Sequence, residues 1–110
     1  MANMNMGGSI VSKNILEGTG QLKWCVRESF VNDVDNGWRF LSDIDTEEYL
    51  ADASHMVVVG WETLFNIEPA IMPIFDMPIG TELTLVREGN KKRFIYTNMG
   101  NECNFSDTKL

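Results

Sequence analysis

Short alternations of apolar and polar residues run through most of the chain. Leu22, Trp24 and Val26 alternate with Lys23, Cys25 and Arg27. That period of two predicts a strand over 21–28 with the first three side chains in the core. Trp38 and Phe40 flank Arg39 in the same way, a strand over 37–41. Leu83 and Leu85 alternate with Thr84 and Val86 over 81–87, and Phe94 and Tyr96 share a face over 92–97. Glu88-Gly-Asn-Lys91 between them predicts a hairpin turn. Gly-Ser-Ile-Val-Ser predicts an opening strand at 9–12, then a turn or single helical turn over 13–20. The unbroken run Met56-Val-Val-Val59 predicts a buried central strand.

Helical spacing is confined to short stretches. Asp45-Thr-Glu-Glu48 has the spacing of a capping box, with Asp45 as N-cap of a helix over 46–53 and Tyr49, Leu50 and Ala53 inward. Trp61, Leu64 and Phe65 form one face of another short helix. All three prolines fall in 66–80 among Ile, Met and Phe, which predicts a packed irregular segment with a helical turn near 69–74. Residues 29–36 are expected to loop, with Asp33, Asp35 and Asn36 as turn formers. The sum is an α+β fold: a mostly antiparallel sheet of about five or six strands with two or three short helices. A single domain is expected over 8–97, between a flexible start at 1–7 and a polar tail at 98–110. If strands 21–28 and 37–41 form a hairpin, Trp24 and Val26 share a face with Trp38 and Phe40, and Arg27 shares the opposite face with Arg39.

Composition narrows the class. A length of 110 residues suits one core, and 44% hydrophobic with 23% charged residues is ordinary for a globular domain. No apolar run approaches the ~20 residues of a membrane span, and the first residues lack a signal-peptide pattern, so a cytoplasmic protein without membrane contact is expected. Cys25 and Cys103 are expected to be reduced thiols. The net charge is −7, and residues 33–52 carry −6 of it. Such a localised field disfavours nucleic acid and attracts a basic partner.

Candidate chemistry is sparse. His55 is the single histidine, and no G-x-S-x-G, P-loop or G-x-G-x-x-G occurs. Asp33, Asp35 and Gly37 superficially resemble the start of a calcium loop. The sixth and twelfth positions counted from Asp33 are Trp38 and Ile44, however, so the match fails. No catalytic residue, metal site or cofactor is therefore assigned. An arginine in mid-strand needs a partner or water, and Arg27 or Arg39 is expected to pair with Glu28, Asp33 or Asp35.

Several motifs together carry a family resemblance: Gly8-Ser-Ile-Val-Ser-Lys13, Trp24 with Arg27-Glu28, Asp35-Asn-Gly-Trp-Arg-Phe40, Glu47-Glu-Tyr49, Asn66-Ile-Glu-Pro69 and Pro78-Ile-Gly80. Over about residues 8–86 the chain resembles the small bacterial immunity protein 33-like domain. It departs at Asn36, where Ser is usual, and at Ser42-Asp43-Ile44, which lacks a Gly. The resemblance implies a bacterial protein found near polymorphic toxins that neutralises a cognate toxin, and it implies no catalytic residue.

Two principal readings follow. In the first, the chain is a non-enzymatic binding protein whose Trp38, Arg39, Asp43, Asp45, Glu47, Glu48 and Tyr49 dock on a protein partner, a basic toxin in the immunity reading. In the second, it is a small-ligand-binding or enzymatic domain with Arg27, Arg39, Glu28, Asp33 and Asp35 around a pocket. A structural or accessory role, with self-association through 67–79, is a third.

Overall fold

The computed structural model describes residues 6–29 and 34–103. Six strands form one sheet: β1 (Gly8–Ser12), β2 (Leu22–Arg27), β3 (Asp35–Ser42), β4 (Met56–Gly60), β5 (Glu82–Glu88) and β6 (Lys91–Tyr96). Their order is β4-β1-β3-β2-β5-β6. All pairings are antiparallel except β1 with β3. Three short α-helices intervene: α1 (Lys13–Glu17), α2 (Glu47–Leu50) and α3 (Trp61–Ile67). Two 3₁₀ segments, Ala53–His55 and Pro69–Ile74, complete the α+β architecture.

One face of the sheet is covered. Trp61 and Leu64 from α3, Ile71 and Ile74 from the proline-rich segment and Ile15 from α1 pack there against Val11, Cys25, Trp38, Phe40, Leu83, Leu85 and Phe94. Aromatic rings form its centre. Trp38 stacks on Phe40 at 5.8 Å, and Trp61 meets Phe75 edge-on at 4.8 Å. The Trp38 indole N–H donates to the Phe75 carbonyl at 3.1 Å, so no buried donor is stranded.

Register explains where the chain departs from its pattern. Leu22 pairs with Ser42 and Trp24 with Leu41, so Lys23 is an extra residue in β2. This bulge turns Cys25, rather than Trp24 and Val26, into the core. Cys25 then lies opposite Phe40 and Arg27 opposite Trp38, while Val26 lies opposite Arg39. Arg27 and Arg39 therefore point from opposite faces, so among the described residues the two do not share a face as expected. Trp24 is only half-buried on the other face, with the Lys23 ammonium 4.9 Å above its ring.

Three further expectations change. The Met56–Val59 run is an edge strand: Val57 and Val59 lean to the covered side, and Val58 is 68% exposed. An apolar run has no period, so it could not distinguish edge from centre. Asp35 and Asn36 belong to β3 and are buried. The Asn36 amide holds a local bend by accepting from Trp38 N and Ser9 Oγ and donating to the Met6 carbonyl. Finally, residues 98–103 return to the sheet: Cys103 N donates to the Phe94 carbonyl, and Cys103 joins the core as a free thiol, as does Cys25.

Candidate functional site

The acidic segment begins where β3 ends. The Asp45 carboxylate accepts hydrogen bonds from Ser42 N (2.7 Å), Ser42 Oγ (2.7 Å), Asn14 Nδ2 (2.8 Å) and Ser12 Oγ (3.0 Å). It thus ties β3, β1 and α1 together instead of capping α2. Partial burial pushes its pKa up, but the donors from Ser42, Asn14 and Ser12 outweigh that and hold it below the ordinary value. Thr46 is the N-cap in its place, its hydroxyl accepting from Tyr49 N at 3.1 Å.

With Asp45 turned inward, the outward charges here are Asp43, Glu47, Glu48 and Asp52, all exposed. Glu47 and Glu48 occupy the first turn of α2, where carboxylates favour the helix dipole. Asp43 accepts from Gln21 N, and Asp52 accepts from the Ser54 amide and hydroxyl, which lower its pKa. The Tyr49 ring lies flat on His55 at 3.9 Å, and His55 Nδ1 sits 2.6 Å from the Tyr49 carbonyl. Partial desolvation, with the negative field of Asp45, Glu17 and Asp52, raises the Tyr49 pKa. The acids of 43–52 therefore crowd together, and the Glu17 charge of α1 reaches Tyr49 among them.

Trp38, expected at a partner surface, has no exposed area. It belongs to the aromatic core and cannot touch a partner. Arg39 lies on the opposite face and is mostly covered. Its guanidinium grips Asp35 with two donors at 2.8 and 2.9 Å and reaches Glu28 at 3.2 Å. The Asp35 hydrogen bonds raise its pKa further. The ion pair expected for a mid-strand arginine thus exists at Arg39, with Asp35 and Glu28, whereas Asp33 lies outside the described residues. Arg27 instead donates to the carbonyls of Asn36 (3.0 Å), Phe75 (3.2 Å) and Met77 (2.7 Å), stitching β2 to the segment before β5.

A buried carboxylate escaped the sequence reading. Glu68 is 5% exposed, receives Arg87 Nη2 at 2.8 Å and Lys92 Nζ at 2.9 Å, and caps the Pro69–Ile74 segment through Ala70 N. Burial pushes its pKa up, and these donors more than reverse the shift. One signal was available: Pro69 at the first position of a helical segment marks Glu68 as its cap. Nearby, burial pushes the Cys25 thiol pKa well up, and the Glu68 charge adds to it.

The sheet's second face carries Ile10, Val26, Leu41, Trp24, Thr84 and Ile95 around Arg39, and no described helix sets a buried residue against it. Among the described residues, no group of three or more His, Cys, Asp and Glu could hold a metal ion. No described helix is long and apolar enough to cross a membrane. What the arrangement offers is surface: an acidic end, a half-covered sheet and a bare strand edge.

The family model described as the Immunity protein Imm33 domain matches residues 9–95, most of the chain. Comparison with curated proteins and with solved structures found no match.

Proposed function

Because the chain belongs to the Imm33 immunity-protein family, we propose that it binds a cognate protein toxin and neutralises it, docking through its acidic end. The family match over 9–95 is the observation that carries this reading. The charge distribution supplies the direction of approach. Asp43, Glu47 and Glu48 are exposed and concentrated, so a basic toxin surface is steered toward them and wrong partners are repelled. Tyr49, braced on His55, offers an aromatic edge beside these charges. Arg39 acts one step back: clamped by Asp35 and Glu28, it fixes the geometry of the open face.

The test is a titration of a candidate basic toxin domain, at low and high salt, against wild type and a variant with Asp43, Glu47 and Glu48 changed to Lys. All three side chains are exposed, so the variant is expected to fold. Binding that weakens with salt and is lost in the variant supports the reading. Binding indifferent to both overturns the acidic surface, and absence of binding overturns the immunity role for that toxin.

A further inference from the structure

We propose that the outer edge of β4 is a strand-pairing site, on which a β-strand of a basic protein partner adds to the sheet with its positive end against the acidic segment. This rests on the toxin-binding reading above and names where the toxin attaches. β4 ends the strand order, and among the described residues no chain segment pairs with its outer edge. Its backbone donors and acceptors on that side are a ready template.

Natural edge strands are usually blunted by charge, proline, a bulge or a cover. Met56-Val-Val-Val-Gly60 has no charged residue and no proline, and its pairing with β1 runs without a bulge. Val58, 68% exposed, points from the open face at the middle of the strand. An edge of this composition is suited to strand addition, where main-chain bonds give affinity and side-chain contacts give selection.

Charge chooses the occupant. β4 begins one residue after the Ala53–His55 turn, so Asp52 stands at its Met56 end, with Glu47 and Glu48 in the preceding helix. At the other end Glu62 lies two residues past Gly60, in the first turn of α3. Antiparallel pairing of β4 with β4 of a second copy would bring Asp52 of one chain toward Glu62 of the other, between molecules of net charge −7. Like charges there disfavour self-pairing and favour a strand flanked by Lys or Arg.

The test is amide hydrogen exchange on the full chain, alone and with the candidate toxin domain that the titration above uses, joined to affinity measurements on Val58→Lys and Val58→Thr. The expected result is protection of the freely exchanging Met56–Gly60 amides by at least about tenfold in the complex. Val58→Lys, which sets a like charge on the pairing surface, is expected to lower affinity about tenfold or more while Val58→Thr stays near wild type. Both variants should keep the wild-type melting curve, since Val58 is exposed. A toxin that binds without protecting β4, or that ignores Val58→Lys, overturns this site and leaves the immunity reading intact. A toxin that does not bind overturns both. Protection of β4 that grows with concentration in the chain alone identifies a second copy as the occupant and overturns the proposal.

Discussion

Arg27 and Arg39 project from opposite faces of one sheet. Arg27 lies across from Trp38 and spends its guanidinium on backbone carbonyls of Asn36, Phe75 and Met77. Arg39 lies across from Val26 and spends its own on Asp35 and Glu28. The first fastens the covered layer to the sheet, and the second organises the open face.

Their replacement should therefore read differently. Arg27→Met removes three hydrogen bonds to carbonyls, of which Phe75 O keeps the Trp38 indole as a donor, and at about 1 kcal/mol for each bond it is expected to destabilise by roughly 2–3 kcal/mol. Arg39→Met is expected to cost more, about 3 kcal/mol or above, because the Asp35 carboxylate is buried and loses both of its guanidinium bonds. Urea midpoints of the two variants measure the difference, and equal losses would refute the assignment.

The Asp45 hub predicts a sensitivity at a distance in sequence. A Cβ at Gly20 would sit 2.8 Å from Ser42 Oγ and 2.9 Å from Ile44 Cγ1. Ser42 cannot retreat freely, because its hydroxyl and amide both serve Asp45. Gly20→Ala is expected to destabilise by about 1–3 kcal/mol by overpacking, although alanine is ordinarily a mild substitution. Thermal unfolding checks it, and an unchanged melting temperature would show the turn to be looser than this.

Acid should unfold the protein through Asp45 and Glu68. Burial alone would raise both pKa values, but hydrogen bonds and, at Glu68, cationic partners hold them below the ordinary carboxylate values of about 4. A group depressed in the folded state stabilises fully above its unfolded pKa, and that stability is lost as pH falls through the folded value. Stability is thus expected to be flat near neutrality and to drop below about pH 4. Asp45→Asn, less stable at pH 7, should show a shallower acid limb. Urea midpoints between neutral and acid pH would expose a failure as parallel curves.

The strands were legible because Trp38/Phe40, Leu83/Leu85 and Phe94 keep their period. What the period could not show was a one-residue insertion. Lys23 looks like any outward residue, yet its bulge moves Trp24 and Val26 off the core face and puts Arg27 beneath Trp38. Asp45 and Thr46 are both good caps, and only the three-dimensional neighbourhood of Ser12, Asn14 and Ser42 decides between them. Exposed acids such as Asp43, Glu47 and Glu48 were placed correctly on the surface, since nothing nearby in sequence competes for them. Glu68 was hidden because its partners, Arg87 and Lys92, come from a hairpin some twenty residues away.

That Glu68 cluster supplies the last prediction. Glu68 is buried with two cations on it, and Arg87 also donates to the Leu22 carbonyl at 2.8 Å. Removing the carboxylate charge takes away the anion that Arg87 and Lys92 share, although Lys92 is exposed and Arg87 keeps its bond to the Leu22 carbonyl. Glu68→Gln is therefore expected to cost about 1–3 kcal/mol, the range for lost hydrogen bonds to a charged group. The same site keeps Cys25 inert: fully buried, with its pKa raised by desolvation and by the neighbouring carboxylate, it holds its proton at neutral pH. In the native wild type, Cys25 should resist alkylation and react only when the chain opens, whereas Glu68→Gln should label faster in proportion to its lost stability. Mass spectrometry of iodoacetamide adducts at Cys25 over a time course gives the rates. Equal labelling in the two proteins would mean that opening at Cys25 does not depend on the Glu68 cluster.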